Sequence, residues 1–198
     1  MSTSSKVLSA LDWIALSIRF FKNHLFTVLG LGFLAALGRA TQLGAFGPVS
    51  HAFDVLLEIG VESSRVLLFL YALGLTDVRT GVAGVLRLFS AVADRRRNLR
   101  VAVQKVKSHW RAMLLKLVAF LLIAWSINSL IDYAAYQTCL YAKLKASQLI
   151  ADEASEWAFI LFLKNISIIP FTLVFNALFL RWVTNRLTGS FRGSSVNP

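Results

Sequence analysis

Residues Met113–Ile131 read MLLKLVAFLLIAWSINSLI, and this stretch decides the class of fold. Lys116 is its single charged residue. A helix rises about 1.5 Å per residue, so a helix of this length covers roughly the 30 Å of a bilayer's hydrocarbon layer. The stretch therefore predicts a membrane-spanning helix, and the rest of the chain is interpreted around it.

The composition of the whole chain agrees with a membrane setting. Of its 198 residues, 57% are hydrophobic and 16% are charged, and the mean hydropathy is +0.64. A soluble domain has about 25% charged residues, so too few polar side chains remain here to cover a water-soluble globule. An aromatic content of 12%, three prolines, eleven glycines and one cysteine exclude disordered, collagen-like and disulfide-rich chains. We predict an all-α integral membrane protein.

Three further apolar segments bring the predicted number of membrane segments to four. Trp157–Val183 is long enough to span, and Pro170 should kink it near Ile166, because proline removes an amide donor from the helix. The segment Leu25–Gly38 is too short alone and spans only if its helix starts upstream, near Ile14. The remaining segment, His51–Leu75, is the second along the chain and the least regular. A half-buried helix or a re-entrant segment would show the same pattern.

Basic residues are distributed unevenly around these segments. Fifteen lysines and arginines lie in the N-terminal stretch, the central connection and the C-terminal tail, against three (Arg39, Lys143, Lys145) on the opposite side. Because basic loops stay in the cytoplasm, we predict that both termini and the central connection are cytoplasmic. The connection Asp132–Glu156 then faces outward.

The two halves of the chain are similar in pattern. The stretch FKNHL at 21–25 parallels VKSHW at 106–110, and HAF at 51–53 parallels WAF at 157–159. Each half is predicted to hold an amphipathic interfacial helix, a span, an outer loop and a returning span. This organisation predicts a single membrane domain, 1–198, with parallel repeats at about 7–92 and 93–190 and a flexible tail at 191–198. The interfacial stripes are Leu11, Ile14, Ile18 and Phe21 before segment one, and Leu99, Val103, Val106 and Trp110 before segment three.

With FFKNH at 20–24 ahead of its first apolar segment, the chain resembles the small multi-pass bacterial membrane proteins grouped near the glycerophosphodiester phosphodiesterase membrane domain. The resemblance covers most of the chain. It implies a membrane-embedded bacterial accessory protein, hence the inner (cytoplasmic) membrane. The family's hydrolase is a separate soluble domain with no counterpart in these residues, so no catalytic residue carries over.

A polar stripe occupies the first half of the segment His51–Leu75. Asp54, Glu58 and Glu62 are four residues apart, so a helix places three carboxylates on one face, with Arg65 one turn further. Ionisable residues inside a membrane usually face a protein interior or a water-filled path. One interpretation is a cation or proton path that opens from the outer side. The favoured one is a stripe solvated at the outer leaflet and partly neutralised by Arg65 or Arg39.

Lys164 lies about one third of the way into the strongly apolar last segment. Alignment of residues 51–53 with 157–159 places it opposite Glu58, which suggests a structural ion pair between the two. The competing interpretation is a lysine whose ammonium group reaches back to the outer interface.

A dense basic run lies beside the third segment. Seven basic residues and one acidic residue fall between Asp94 and Arg111. Their spacing is typical of a helix lying in an anionic cytoplasmic leaflet. Two alternative interpretations are a specific lipid site and a site for a cytoplasmic partner. Nucleic acid is not an expected partner, because no base-stacking aromatic residues are interleaved with the basic ones. The residues expected to contact anionic lipid are Arg95, Arg96, Arg97, Arg100, Lys107 and Arg111.

No pattern in the sequence indicates catalysis. His24, His51 and His109 are far apart, no pair of histidines or cysteines has metal-ligand spacing, and no phosphate-binding glycine motif occurs. We expect no catalytic residue, metal or cofactor. Gly30, Gly32 and Ala36 indicate close helix packing instead.

The sequence therefore favours a non-enzymatic, small polytopic membrane protein that acts as a structural or accessory subunit of a membrane complex or oligomer. The alternative is a homo-oligomeric ion channel or transporter with a polar path along segments two and four. A weaker alternative is an anionic-lipid-binding protein that remodels membranes. The residues of the polar path would be Asp54, Glu58, Glu62, Arg65 and Lys164.

Overall fold

The structure, a computed structural model, describes residues 15–89 and 92–183. Over these ranges the chain is helical and contains no strand. Its helices are α1 (described over 15–23), α2 (Leu25–Gln42), α3 (His51–Leu73), α4 (Val78–Phe89), α5 (Val92–Tyr136), α6 (Leu140–Ala146), α7 (Glu156–Ile166) and α8 (Ile168–Val183).

Three helical stretches in the described chain are long and apolar enough to cross a membrane. They are Leu25–Gln42, Met113–Tyr136 and Glu156–Val183, the last formed by α7 and α8 together. The predicted second segment does form a helix, α3, but it meets the same standard only in combination with α4, and the chain bends by 88° between them. Residues 15–89 and 92–183 therefore hold three candidate spans, or four if this bent pair forms one.

The predicted kink in the last segment is confirmed. α7 ends at Ile166, and Ser167 leaves the helical conformation at φ −110° and ψ −80°. Pro170 follows within the first turn of α8, where a residue without an amide hydrogen is tolerated.

The predicted start of the first span is wrong. α2 begins at Leu25, because the backbone at His24 (φ −118°, ψ 29°) interrupts the helix between α1 and α2. The span gains its length at its other end instead, where α2 continues to Gln42. This extension carries Arg39, whose charge is matched by carboxylates of α3. Ile14 lies outside the described residues.

The described residues form two compact units, one made of 15–23, 69–89, 92–119 and 174–183, the other of His24–Leu68 and Phe120–Leu173. In the described part of the first unit, the Phe20 ring packs edge-on against Tyr71 with ring centroids 5.7 Å apart. Leu178 and Trp182 are buried in the same unit. The Arg181 guanidinium donates a 2.8 Å hydrogen bond to the Leu73 carbonyl, a favourable position for a cation because Leu73 is the last residue of α3.

A tight turn joins α3 to α4 within the first unit. The Asp77 carboxylate accepts hydrogen bonds from the backbone amides of Arg79 and Thr80 at 3.0 and 3.2 Å, and from the Thr80 hydroxyl. It is therefore the N-cap of α4. These bonds, with that of the Thr80 side chain the strongest, lower the pKa of the Asp77 carboxyl.

The second unit is built on close packing of α2 against α7. A side chain at Gly32 would bring its Cβ to 2.9 Å from Pro170 Cγ and 3.0 Å from the Asn165 carbonyl. Ala36 is fully buried as well, so the packing role predicted for these two residues is confirmed. Gly30 differs, since a Cβ there would meet open space.

A second cluster in this unit ties α5 to α7 and α8. Ile131 and Ala135 of α5 pack with Ile160 of α7 and Ile168 of α8. The predicted outer connection Asp132–Glu156 is partly helical, because α5 continues to Tyr136 and α6 follows before α7 begins.

Candidate functional site

The stripe predicted on the second segment lies on one helix. Asp54, Glu58, Glu62 and Arg65 all belong to α3, and their spacing places them along one side of it. Glu62 is exposed, whereas the other three are partly buried. The helical arrangement is as predicted, and the partners of these side chains come from α2 and α7.

Arg39 of α2 connects two of the carboxylates. Its Nη1 lies 2.8 Å from Glu58 Oε2, and its Nη2 lies 3.3 Å from both Glu58 Oε1 and Glu62 Oε1. A guanidinium that reaches both oxygens of one carboxylate forms the stronger, two-point kind of ion pair. The neutralisation by Arg39 that the sequence suggested is therefore confirmed.

Gln42, one turn beyond Arg39, strengthens the same contact. Its amide Nε2 donates to Glu58 Oε2 at 3.0 Å and to the backbone carbonyl of Asp54 at 3.1 Å. α2 and α3 are thus joined by a guanidinium and an amide, both directed at Glu58. Sequence reasoning missed Gln42, although its position one turn after Arg39 on the same helix face was visible.

Arg65 extends the network from α3 to α7. Its Nη1 pairs with Glu62 Oε1, and its Nη2 donates a 2.8 Å hydrogen bond to Asn165 Oδ1. Asn165 is only 1% exposed, and its own amide donates to the Leu161 carbonyl at 2.8 Å. We call the group Arg39, Gln42, Glu58, Glu62, Arg65 and Asn165 the charge network. Two arginines in it face two glutamates, so its formal charges cancel.

The predicted ion pair between Glu58 and Lys164 is wrong. Among the described residues, the Glu58 carboxylate forms its ion pair with Arg39, and Lys164 is half-buried on α7. Successive residues of a helix point about 100° apart. Because Asn165 is the residue that faces α3, its neighbour Lys164 is directed elsewhere. The signal that could have identified Asn165 is a second polar residue directly after Lys164 in an apolar run.

The basic segment of α5 has an exposed amphipathic surface on both sides of His109, where the backbone (φ −126°, ψ 19°) leaves the helical conformation. Leu99, Val103, Val106 and Trp110 are all exposed. So are Arg100, Lys107 and Arg111, and the Arg111 guanidinium lies 5.5 Å from the centre of the Trp110 ring. The side chains of Arg95, Arg96 and Arg97 lie outside the described ones, although the three residues belong to α5.

Lys105 takes a different direction from its basic neighbours. Its ammonium group donates a 2.6 Å hydrogen bond to the Trp182 carbonyl and lies 4.6 Å from the centre of the Trp182 ring. Burial lowers the pKa of this ammonium group. The His109 ring also packs edge-on against Trp182, at 6.4 Å. The sequence identified Lys105 only as part of the basic run and missed this anchoring contact to α8.

Within 15–89 and 92–183, no group of three or more His, Cys, Asp or Glu side chains is placed to hold a metal ion. Comparison of the chain with models of known protein families, with curated proteins and with solved structures finds no match. The resemblance noted from the sequence stays a prediction.

Proposed function

We propose that this chain is a non-enzymatic inner-membrane protein that serves as a structural or accessory subunit of a larger membrane assembly or oligomer. The charge network is the observation that carries the proposal. Its two carboxylates, Glu58 and Glu62, are both engaged by arginines of the same chain. The arginines compensate the charge of these carboxylates and join helices to one another, which is what a scaffold requires, and they reduce the net negative charge that a cation path would use.

One face of α5 is the surface we assign to contact with other subunits. In the span Met113–Tyr136 only 11% of the most apolar window is buried within the chain, against 39% for Glu156–Val183. Five residues lie along one stripe of this helix and are exposed: Leu122, Trp125, Ser126, Ser129 and Tyr133. Small hydroxyl residues on such a face allow close approach and hydrogen bonding between helices in lipid.

Several parallels support two repeats within this subunit. His24 and His109 hold corresponding positions in the two halves, and both leave the helical conformation with similar dihedral angles. The stretch 51–53 forms the start of α3, and the stretch 157–159 begins at the second residue of α7. In each half, the helix before the break contacts an aromatic residue further along the chain: Phe20 meets Tyr71, and Lys105 meets Trp182.

Contact with anionic lipids of the cytoplasmic leaflet is the partner interaction we propose for the first part of α5. Exposure of the apolar side chains of Leu99, Val103 and Val106 to water is unfavourable. At the boundary between lipid headgroups and acyl chains the same side chains are buried in an apolar environment. The exposed cations Arg100, Lys107 and Arg111 flank this row and would face phosphate groups. The same placement gives two cytoplasmic termini if α3 and α4 cross the membrane together as one bent span.

Native mass spectrometry after gentle extraction from the cell's own membrane tests the subunit role. We expect a defined homo-oligomer or a complex with a stoichiometric partner. Trp125→Ala should weaken that assembly, whereas Ile123→Ala, an exposed position about 160° around the same helix, should leave it intact. Recovery of monomers alone, with and without these substitutions, contradicts the proposal.

Ion flux through proteoliposomes separates this role from a channel. We expect no flux above that of empty liposomes. A flux that disappears in the folded Glu58→Gln, Glu62→Gln protein would overturn the structural role and favour the path along Asp54, Glu58, Glu62, Arg65 and Lys164.

A further inference from the structure

An apolar cavity of about 190 Å³ lies within the second unit. It is enclosed by the last turns of α2, the connection between α2 and α3, α6, the connection that follows α6, and the start of α7. Apart from Ser155, every residue that lines it is apolar, and four are phenylalanines: Phe33, Phe46, Phe159 and Phe162. The rings of Phe33 and Phe162 meet edge-on at 6.0 Å.

Polar contacts outside the cavity hold its wall in place. The Ala151 amide donates a 2.8 Å hydrogen bond to the Ala45 carbonyl, which joins the two connections. The Tyr141 hydroxyl donates to the Ala154 carbonyl, and the Lys145 ammonium donates to the Asp152 carbonyl at 2.6 Å. Because its covering segments are tied to one another, the cavity is a built feature rather than a gap between independent loops.

The lining selects against water and polar ligands. A buried water needs two to four polar partners, and Ser155 is the one polar side chain in the wall. An apolar cavity of about 150 Å³ is large enough to hold a benzene ring, so this one accommodates several carbon atoms of a hydrocarbon chain. Phe33, Phe46 and Leu149 line it and are also exposed, so the apolar surface continues from the cavity to the outside.

The position of the cavity indicates which molecule supplies this hydrocarbon chain. Two candidate membrane spans meet here, since Leu25–Gln42 ends and Glu156–Val183 begins beside it. The end of a span lies at the boundary of the hydrocarbon layer, where phospholipid acyl chains are the most abundant apolar groups. α6 adds charge at this boundary, because exposed Lys143 and partly buried Lys145 flank the lining residue Leu144.

We propose that this cavity binds the acyl chain of an anionic membrane phospholipid, whose headgroup lies near Lys143. The apolar walls of the cavity favour a hydrocarbon chain over a polar ligand, and the positive charge of Lys143 favours a negative headgroup. The site is independent of the subunit role, since it requires neither α5 contacts nor a second copy of the chain.

Photo-crosslinking tests this site in the whole 198-residue chain. The protein is placed in bilayers of phosphatidylethanolamine and phosphatidylglycerol that contain a trace of phosphatidylglycerol with a diazirine in its palmitoyl chain. We expect labelled peptides to be enriched for Phe33, Phe46 and Phe159 over the exposed residues of α5. Excess unmodified phosphatidylglycerol should reduce this labelling more than phosphatidylethanolamine does.

Ser155→Trp is the blocking variant. Ser155 is exposed at the cavity and makes no side-chain capping bond to α7, so the larger ring enters the mouth without removing a structural contact. It should cut labelling of the cavity peptides several-fold, whereas Ser63→Trp, at an exposed position of α3 away from the cavity, should not. Circular dichroism and thermal unfolding of both variants establish that they are folded.

Two results would overturn the proposal. One is labelling spread evenly over the exposed apolar helix faces and unchanged in the folded Ser155→Trp protein. The other is enrichment at the cavity with a diazirine-bearing free palmitic acid but not with the phospholipid probe.

Discussion

Arg65 and Asn165 are separated by 100 positions in the chain and are joined by a 2.8 Å hydrogen bond from Nη2 to Oδ1. The contact fastens α3 to α7, and Asn165 is buried while Arg65 keeps part of its surface exposed. Because Arg65 also pairs with Glu62, which in turn pairs with Arg39, this bond connects the charge network to a third helix. The contact therefore links side chains from α2, α3 and α7.

Removal of the amide at residue 165 should destabilise the protein. Asn165→Leu leaves one arm of a partly buried guanidinium without its partner, at a cost of about 1–3 kcal/mol in the free energy of unfolding. Asn128→Leu is the control, because the Asn128 amide bonds to Ala124 of its own helix at 3.1 Å. Denaturant unfolding in mild detergent measures both. Equal losses in the two variants would contradict an inter-helix role for Asn165.

Exchange of charges should identify the partner of Glu58. Arg39→Glu and Glu58→Arg each place like charges together and should lower the melting temperature, while the double variant should recover most of the loss. The double variant Glu58→Lys, Lys164→Glu should be no more stable than the worse of its single variants. Thermal unfolding of all six proteins makes the comparison. Rescue by the second exchange instead of the first would restore the Glu58–Lys164 pair.

Two glycines of α2 should respond oppositely to an added methyl group. Gly32→Ala forces its Cβ against Pro170 and the Asn165 carbonyl, so we expect a loss of about 1–3 kcal/mol from overpacking. Gly30→Ala meets no neighbour and should be neutral or stabilising by up to about 1 kcal/mol, because alanine favours helix more than glycine does. A loss of stability in Gly30→Ala similar to that in Gly32→Ala would show that this packing is misassigned.

Asp77 should make the melting temperature of the protein decrease at acidic pH. Its hydrogen bonds lower the pKa of the Asp77 carboxyl in the folded protein below the ordinary value of 3.8. The stabilisation is therefore complete above the unfolded pKa and is lost as pH falls through the lower folded value. Asp77→Asn lacks this titration, so the difference in melting temperature between the two proteins should shrink as pH falls through that range. A difference that is constant over it would rule out the cap as the source.

Three exposed cations of α5 should govern attraction to anionic bilayers. Replacement of Arg100, Lys107 and Arg111 by glutamine should weaken selection of phosphatidylglycerol over phosphatidylcholine by about 1 kcal/mol per residue. The effect should fade at high salt, since screening shortens electrostatic interactions. The matched control keeps the charge through Arg100→Lys, Lys107→Arg and Arg111→Lys. Lipids co-purified from mixed vesicles provide the measurement, and equal selection by both triple variants would argue against headgroup contact.

The sequence alone was sufficient for the features that depend on neighbouring residues. The apolar length of Met113–Ile131, the spacing of Asp54, Glu58 and Glu62 and the break before Pro170 follow from helix geometry and local hydrogen bonding. Each can be predicted because the residues concerned lie within a few turns of one another.

Tertiary structure decided what depends on residues far apart in the chain. Arg39 rather than Lys164 pairs with Glu58, because the packing of α2 against α7 places Asn165, not Lys164, towards α3. The apolar cavity likewise depends on segments far apart in the chain, two of which are joined by the hydrogen bond from the Ala151 amide to the Ala45 carbonyl. The sequence shows which charged and apolar side chains are present but not which of them are in contact. Many pairings are compatible with the same sequence, and close packing in the folded protein selects one of them.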